Sequence, residues 1–124
     1  MGHYRGKKCE CDGYTFDSIP EKECYLQLKN DESVSELQVH QKFIILEGFR
    51  NYEGKSLRSI TFKPDFMFSK DGQVHIQDVK PLNKKLIDAD FMIRWKLLQW
   101  VYREQNVKFR LVAWDKKANE FVEI

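Results

Sequence analysis

The fold is decided by the stretch Pro64-Asp65-Phe66-Met67-Phe68-Ser69-Lys70-Asp71-Gly72-Gln73-Val74-His75-Ile76-Gln77-Asp78-Val79-Lys80. Asp71-Gly72 between two apolar-rich runs is the strongest short hairpin signal in the chain. Upstream, Ser59 to Ser69 alternates as a strand does. Ile60, Phe62, Phe66 and Phe68 share one face, and Thr61, Lys63, Asp65, Met67 and Ser69 share the other. Gln73 to Lys80 is the return strand. A two-residue loop pairs Lys70 with Gln73, and the same ladder sets Asp65 opposite Asp78 and Lys63 opposite Lys80. Facing residues have Cβ atoms roughly 4.5–5.5 Å apart, and like charges there are destabilising. A divalent cation resolves the conflict, since Mg²⁺ is held by one or two carboxylates together with substrate phosphates. Lys80 shares the face of Asp78, because residues two apart on a strand point the same way. Met67, Val74 and Ile76 continue that face as apolar residues, so the charged cluster occupies one end of a packed surface.

Upstream of the hairpin, Ser18-Ile19-Pro20-Glu21 opens a helix that is expected to run to about Lys29. Ser18 suits the N-cap, Pro20 the first turn, and Glu21 the N3 position of a capping box. Glu21 also shares a face with Cys24, Tyr25 and Leu28, which carries its carboxylate towards the end of the sheet where Asp65 and Asp78 lie. The spacing alone leaves Glu21 open as a plain capping residue, Asp65 as an edge or bulge residue, and Asp78 with Lys80 as a surface pair. Leu37 to Phe49 reads as one long or broken strand, and Asn51 to Lys55 as a loop. Downstream, Pro81 to Lys85 is a basic loop, and Asp88 to about Gln105 a second helix. Phe91, Trp95, Leu98 and Tyr102 form its buried stripe. Val107 to Trp114 and Glu120 to Ile124 are strands. The order predicts an α/β domain with an αβββαβ core and a mixed sheet.

The whole chain is consistent with one domain. It has 124 residues, 42% of them hydrophobic, with 21 Lys plus Arg against 19 Asp plus Glu. The near-balance excludes nucleic-acid binding by bulk charge. No apolar run is long enough for a membrane span, and the first residues lack the apolar stretch of a signal peptide. Three cysteines argue against a disulfide framework and for a reducing cytoplasm. Residues 1–11 read as a basic N-terminal arm carrying Arg5, Lys7 and Lys8, and residues 12–124 as the folded domain. Cys9-x-Cys11, with His3 and Cys24, departs from the usual zinc spacing, and Cys24 is more simply a small buried hydrophobe. Strand parity turns His75 away from the acidic cluster.

On Pro64-Asp65, Asp78-Val79-Lys80 and the helix-borne Glu21, the sequence resembles the PD-(D/E)XK nuclease superfamily. More narrowly, Asp12-Gly13-Tyr14-Thr15-Phe16-Asp17-Ser18 with Glu21 is similar to a small phage-encoded group of unknown function in that superfamily. The Ser-x-x-Glu helix opening is similar to the catalytic subunit of Tn7-type transposases. The resemblance covers roughly residues 12–114 and implies a single-domain restriction-endonuclease-like core. It further implies a Mg²⁺- or Mn²⁺-dependent DNA endonuclease of phage or mobile-element type, active in recombination, repair or processing of DNA, branched DNA included. On that resemblance Asp65 and Asp78 ligate the metal, the Val79 carbonyl completes the site, Glu21 binds a second metal or positions water, and Lys80 orients the attacking water. Lys63, Lys84, Lys85, Arg94 and Lys96 are candidate nucleic-acid contacts. The expected partners are DNA and a second copy or a phage or transposon protein, with no membrane, in the cytoplasm of a bacterial host. Rival readings are a nucleic-acid-binding or assembly module with a residual metal site, an RNA-directed nuclease of the same fold, and a small interaction domain.

Overall fold

The computed structural model describes residues 8–124. Two short strands, β1 (Cys9–Cys11) and β2 (Tyr14–Phe16), form a hairpin around Asp12-Gly13. Both turn residues have positive φ, 53° and 84°, which Asp tolerates and Gly adopts freely. The helix α1 follows at Ile19–Asn30. Ser18 caps it as expected, its Oγ accepting the Glu21 N–H at 3.2 Å. Cys24 and Tyr25 turn inwards, and Tyr25 Oη donates to Asp12 Oδ2 at 2.7 Å, tying the first hairpin to the helix.

The central sheet contains five strands. In chain order after α1 comes β3 (Val34–Val39), followed by an excursion of four short strands: β4 (Phe43–Leu46), β5 (Phe49–Arg50), β6 (Ser56–Leu57) and β7 (Ile60–Phe62). The chain then re-enters the sheet as β8 (Phe66–Lys70) and β9 (Gln73–Val79), crosses over through α2 (Ala89–Val101), and finishes with β10 (Val107–Asp115) and β11 (Glu120–Glu123). The spatial order is β11-β10-β9-β8-β3. Only β9 and β10 are parallel; every other neighbouring pair is antiparallel. The Asp71-Gly72 turn forms with both residues at positive φ, and the ladder runs from Lys70–Gln73 to Phe66–Gln77 in the expected register.

One helix covers each face. Phe66, Phe68 and Val112 pack with Phe16, Cys24 and Tyr25 beneath α1. Ile76, Met67, Phe109 and Leu111 pack with Trp95 and Leu98 of α2. The molecule is therefore α/β, with a mixed sheet between two helices.

Two expectations need correction, and the Leu37–Phe49 segment, expected as one long or broken strand, is broken. The strand expected over Ser59–Ser69 is broken by Lys63-Pro64-Asp65, since Pro64 has no N–H to give a ladder. The break reverses the parity: Ile60 and Phe62 pack on the α2 side, while Phe66 and Phe68 lie on the α1 side. Lys63 consequently lies off the strand, exposed, and no ladder pairs it with Lys80, whose N–H donates to the Val112 carbonyl at 2.8 Å. The Leu37–Phe49 segment is divided among β3, β4 and β5, with His40 at positive φ, 56°, turning the chain out of the sheet. The second helix ends at Val101 rather than near Gln105, because Tyr102 leaves helical geometry and its N–H closes the last turn on Leu98. Among the described residues no helix is long and apolar enough to cross a membrane. Of the basic arm, residues 1–7, with Arg5 and Lys7, lie outside the described residues.

Candidate metal centre

The end of the sheet where β9 terminates is the place where the first turns of both helices meet. A cavity of about 350 Å³ opens there. Its lining includes Ser18 and Glu21 from the start of α1, Asp65, Asp78, Val79 and Lys80 from the hairpin ends, and Asp88 and Phe91 from the start of α2. Asp17 completes the rim. Five carboxylates and one ammonium thus face one small volume, with two helix N-termini supplying partial positive charge beside them.

Asp65 and Asp78 are locked to each other through backbone. The Asp65 N–H donates to Asp78 Oδ2 at 3.1 Å, and the Val79 N–H donates to Asp65 Oδ2 at 2.8 Å. These bonds extend the hairpin ladder by one step, with side chains in place of carbonyls. Asp78 is 3% exposed and Glu21 6%. Burial, then the charges of Asp78 and Glu21, holds the Asp65 carboxyl well above the usual carboxylate range. Burial also raises Asp78, and Lys80, with Nζ 3.2 Å from Asp78 Oδ1, works in the opposite direction. Lys80 is itself fixed, with its ammonium 3.6 Å from the centre of the Phe91 ring. A buried acidic cluster of this kind is stabilised by a bound cation, which inverts the local charge balance.

His40 is the residue that pattern reading missed. Its Nε2 lies 2.8 Å from Glu21 Oε1, and its backbone N–H donates to the Asp65 carbonyl at 3.0 Å. The hydrogen bond to Glu21 raises the imidazole pKa. Glu21, His40 and Asp65 each bring one ligand atom within 4.8 Å of the others. No spacing in the sequence points to His40; it arrives through the irregular exit from β3, which strand parity cannot anticipate.

The remaining candidates lie elsewhere. Lys63, Lys84, Lys85 and Lys96 are exposed and outside the cavity lining. Arg94 donates to the Thr61 carbonyl at 2.8 Å and pairs with Asp90 at 3.1 Å, which ties α2 to β7. His75 is buried against the Phe68 ring, on the face away from Asp78, as parity requires. Cys24 is buried and accepts from Gln77 Nε2 at 3.2 Å, and burial pushes its thiol up to about 12. Of the zinc alternative, His3 lies outside the described residues.

A family model described as "Protein of unknown function (DUF1064)" matches residues 1–119. No curated protein and no solved structure matches the chain.

Proposed function

The chain belongs to the DUF1064 family, and we propose that it is a metal-dependent endonuclease of DNA, built on a restriction-endonuclease-like PD-(D/E)XK plan. One observation carries this reading: Asp65 and Asp78, drawn together by reciprocal backbone bonds, share a cavity with Glu21 and a single fixed lysine. The resemblance of Pro64-Asp65 and Asp78-Val79-Lys80 to the nuclease motif supports the same assignment.

The donor set fits a hard divalent cation. Carboxylate oxygens suit Mg²⁺ and Mn²⁺, and Asp65, Asp78 and Glu21 are the residues that would hold it, with the Val79 carbonyl adjacent. When bound, the cation polarises a phosphoryl oxygen and lowers the pKa of water. The chain's own groups do the rest. Asp65 and Asp78 fix the cation at the end of a rigid hairpin. His40 holds the Glu21 carboxylate in orientation, the usual task of a hydrogen-bonded neighbour of a ligand. Lys80, held by Phe91 and Asp78, donates from Nζ to the water or the scissile phosphate and offsets developing negative charge. The acid-rich rim repels a polyanion until cation enters, so DNA engagement at this cavity depends on metal.

The test is cleavage of supercoiled plasmid and of a labelled branched duplex in Mg²⁺ and Mn²⁺, with a matched RNA as control. The expected result is DNA nicking that EDTA abolishes and that Asp78→Asn and Lys80→Ala each remove. Nicking unchanged in both variants assigns the activity to a contaminant. No cleavage alongside retained metal binding reassigns the protein to a binding or assembly module, and preferential cutting of RNA overturns the choice of DNA.

A further inference from the structure

A second cavity, of about 570 Å³, adjoins the catalytic one. The two share Val79, Lys80, Pro81 and Leu86 in their walls. Their chemistry differs. The second is mostly apolar, with Trp114, Leu82 and Leu86 all in its lining. Leu82 and Leu86 are 48% and 41% exposed, a high figure for leucines standing beside a catalytic cavity. Trp114 is held in place edge-on against Phe121, with ring centres 5.1 Å apart. Lys116 and Lys117 form the rim. Asp115, the nearest carboxylate on that turn, accepts the Lys117 N–H at 3.0 Å and the Ala118 N–H at 3.3 Å, so its charge is committed to the turn.

We infer that this cavity takes an unpaired nucleobase next to the scissile phosphate. The inference rests on the nuclease reading for the seat of that phosphate. A cavity lined by an indole and by aliphatic side chains offers a base a π-face and dry contact, which is how single strands are held without sequence readout. The volume lies within the usual range for a small-ligand pocket. A base inside a duplex has both faces covered by its neighbours and presents only edges, so filling the cavity requires a base that is unpaired or flipped out. The rim lysines meet the phosphate on the far side of that nucleotide. The substrate class is therefore DNA with single-stranded character at the cut: a flap, a junction or a strand end.

The test is fluorescence anisotropy with wild-type protein in Ca²⁺, using a labelled 12-nucleotide DNA strand, the same sequence as a duplex, and a strand of equal length carrying abasic sites. A gel of each sample shows whether the probe stays intact. Variants are Leu82→Asp, which alters an exposed side chain, and Trp114→Ala. The expected result is tighter binding of the single strand than of the other two probes. Both variants are expected to weaken the single strand by roughly 5- to 100-fold, with duplex binding unchanged. Equal binding of abasic and normal strands overturns the inference, as does loss of duplex and single-strand binding together in Leu82→Asp. A concentration-dependent dimer that Leu82→Asp dissociates also overturns it, assigning the face to a second copy. If this binding pattern holds while cleavage in Mg²⁺ fails, the base cavity stands and the nuclease reading falls. The opposite pair of results leaves the nuclease and removes the cavity.

Discussion

Asp65 is the residue at which burial and charge oppose each other. Its carboxyl is buried beside Asp78 and Glu21, and its pKa is raised well above the value near 4 that an unfolded chain gives. A raised folded pKa means that the folded chain binds the proton more tightly than the unfolded one. The metal-free protein therefore loses stability as pH rises from about 4 through the folded value of Asp65, and keeps the full penalty above it. His40, raised by its bond to Glu21, acts in the same sense at higher pH: its contribution is complete below about 6.5 and disappears as pH passes its folded value. Thermal melts in EDTA should accordingly show Tm falling between pH 4.5 and 7.5. Asp65→Asn should flatten the lower part of that fall and raise Tm at pH 7.5, because the amide keeps an acceptor for the Val79 N–H and sheds the charge. A wild-type melt independent of pH over that range contradicts the electrostatic account. His40 gives a second residue-scale prediction. His40→Ala should weaken Mn²⁺ binding by about 10- to 100-fold, as loss of a ligand's hydrogen-bond partner does, with the fold retained by circular dichroism. An unchanged affinity by calorimetry removes His40 from the site.

At the scale of elements, α1 is a positioning device as well as a core helix. Ser18 Oγ holds the Glu21 N–H, so the cap fixes the turn that carries the carboxylate. Ser18→Ala should cost about 1 kcal/mol of stability and should also weaken cation binding, whereas Ser18→Thr should restore both. A loss of stability with cation affinity untouched separates the cap from the site. Much at this scale was legible in the sequence. The Ser18 cap, the Asp71-Gly72 turn, the register of the hairpin and the Phe91, Trp95, Leu98 stripe each rest on local chemistry, and local chemistry is what a sequence displays. The excursion from Phe43 to Phe62 was less legible. Its strands have two to four residues and pair only with one another, and of their apolar residues Phe43, Ile45, Ile60 and Phe62 join the core cluster beneath α2. Alternation therefore persists through Pro64 in the sequence although the chain changes face there, from Phe62 under α2 to Phe66 under α1.

At the scale of the whole molecule, the acidic residues of the cavity come from elements far apart in the chain, and the fold brings them to one sheet end. Asp65 and Asp78 could be paired from the sequence because a single tight turn connects them. Glu21 needed the packing of α1, which its helical face foreshadowed. His40 needed a positive-φ residue at the exit from β3, and no periodicity encodes that. Because the cluster is built across the domain, cation binding there should stabilise the whole fold. At a cation concentration about a hundredfold above Kd the gain is about 2.7 kcal/mol, a rise in Tm of about 10 °C for a chain of this size. Asp65→Asn with Asp78→Asn should abolish the rise, and a rise that survives in the double variant places the cation elsewhere. The central claim is that carboxylates from α1 and from both hairpin strands hold one cation, and an anomalous difference map from a crystal soaked in Mn²⁺ tests it most directly. The account predicts a peak about 2.0–2.6 Å from oxygens of Asp65 and Asp78, with Glu21 beside it. A map with no peak among these carboxylates at millimolar Mn²⁺ contradicts it.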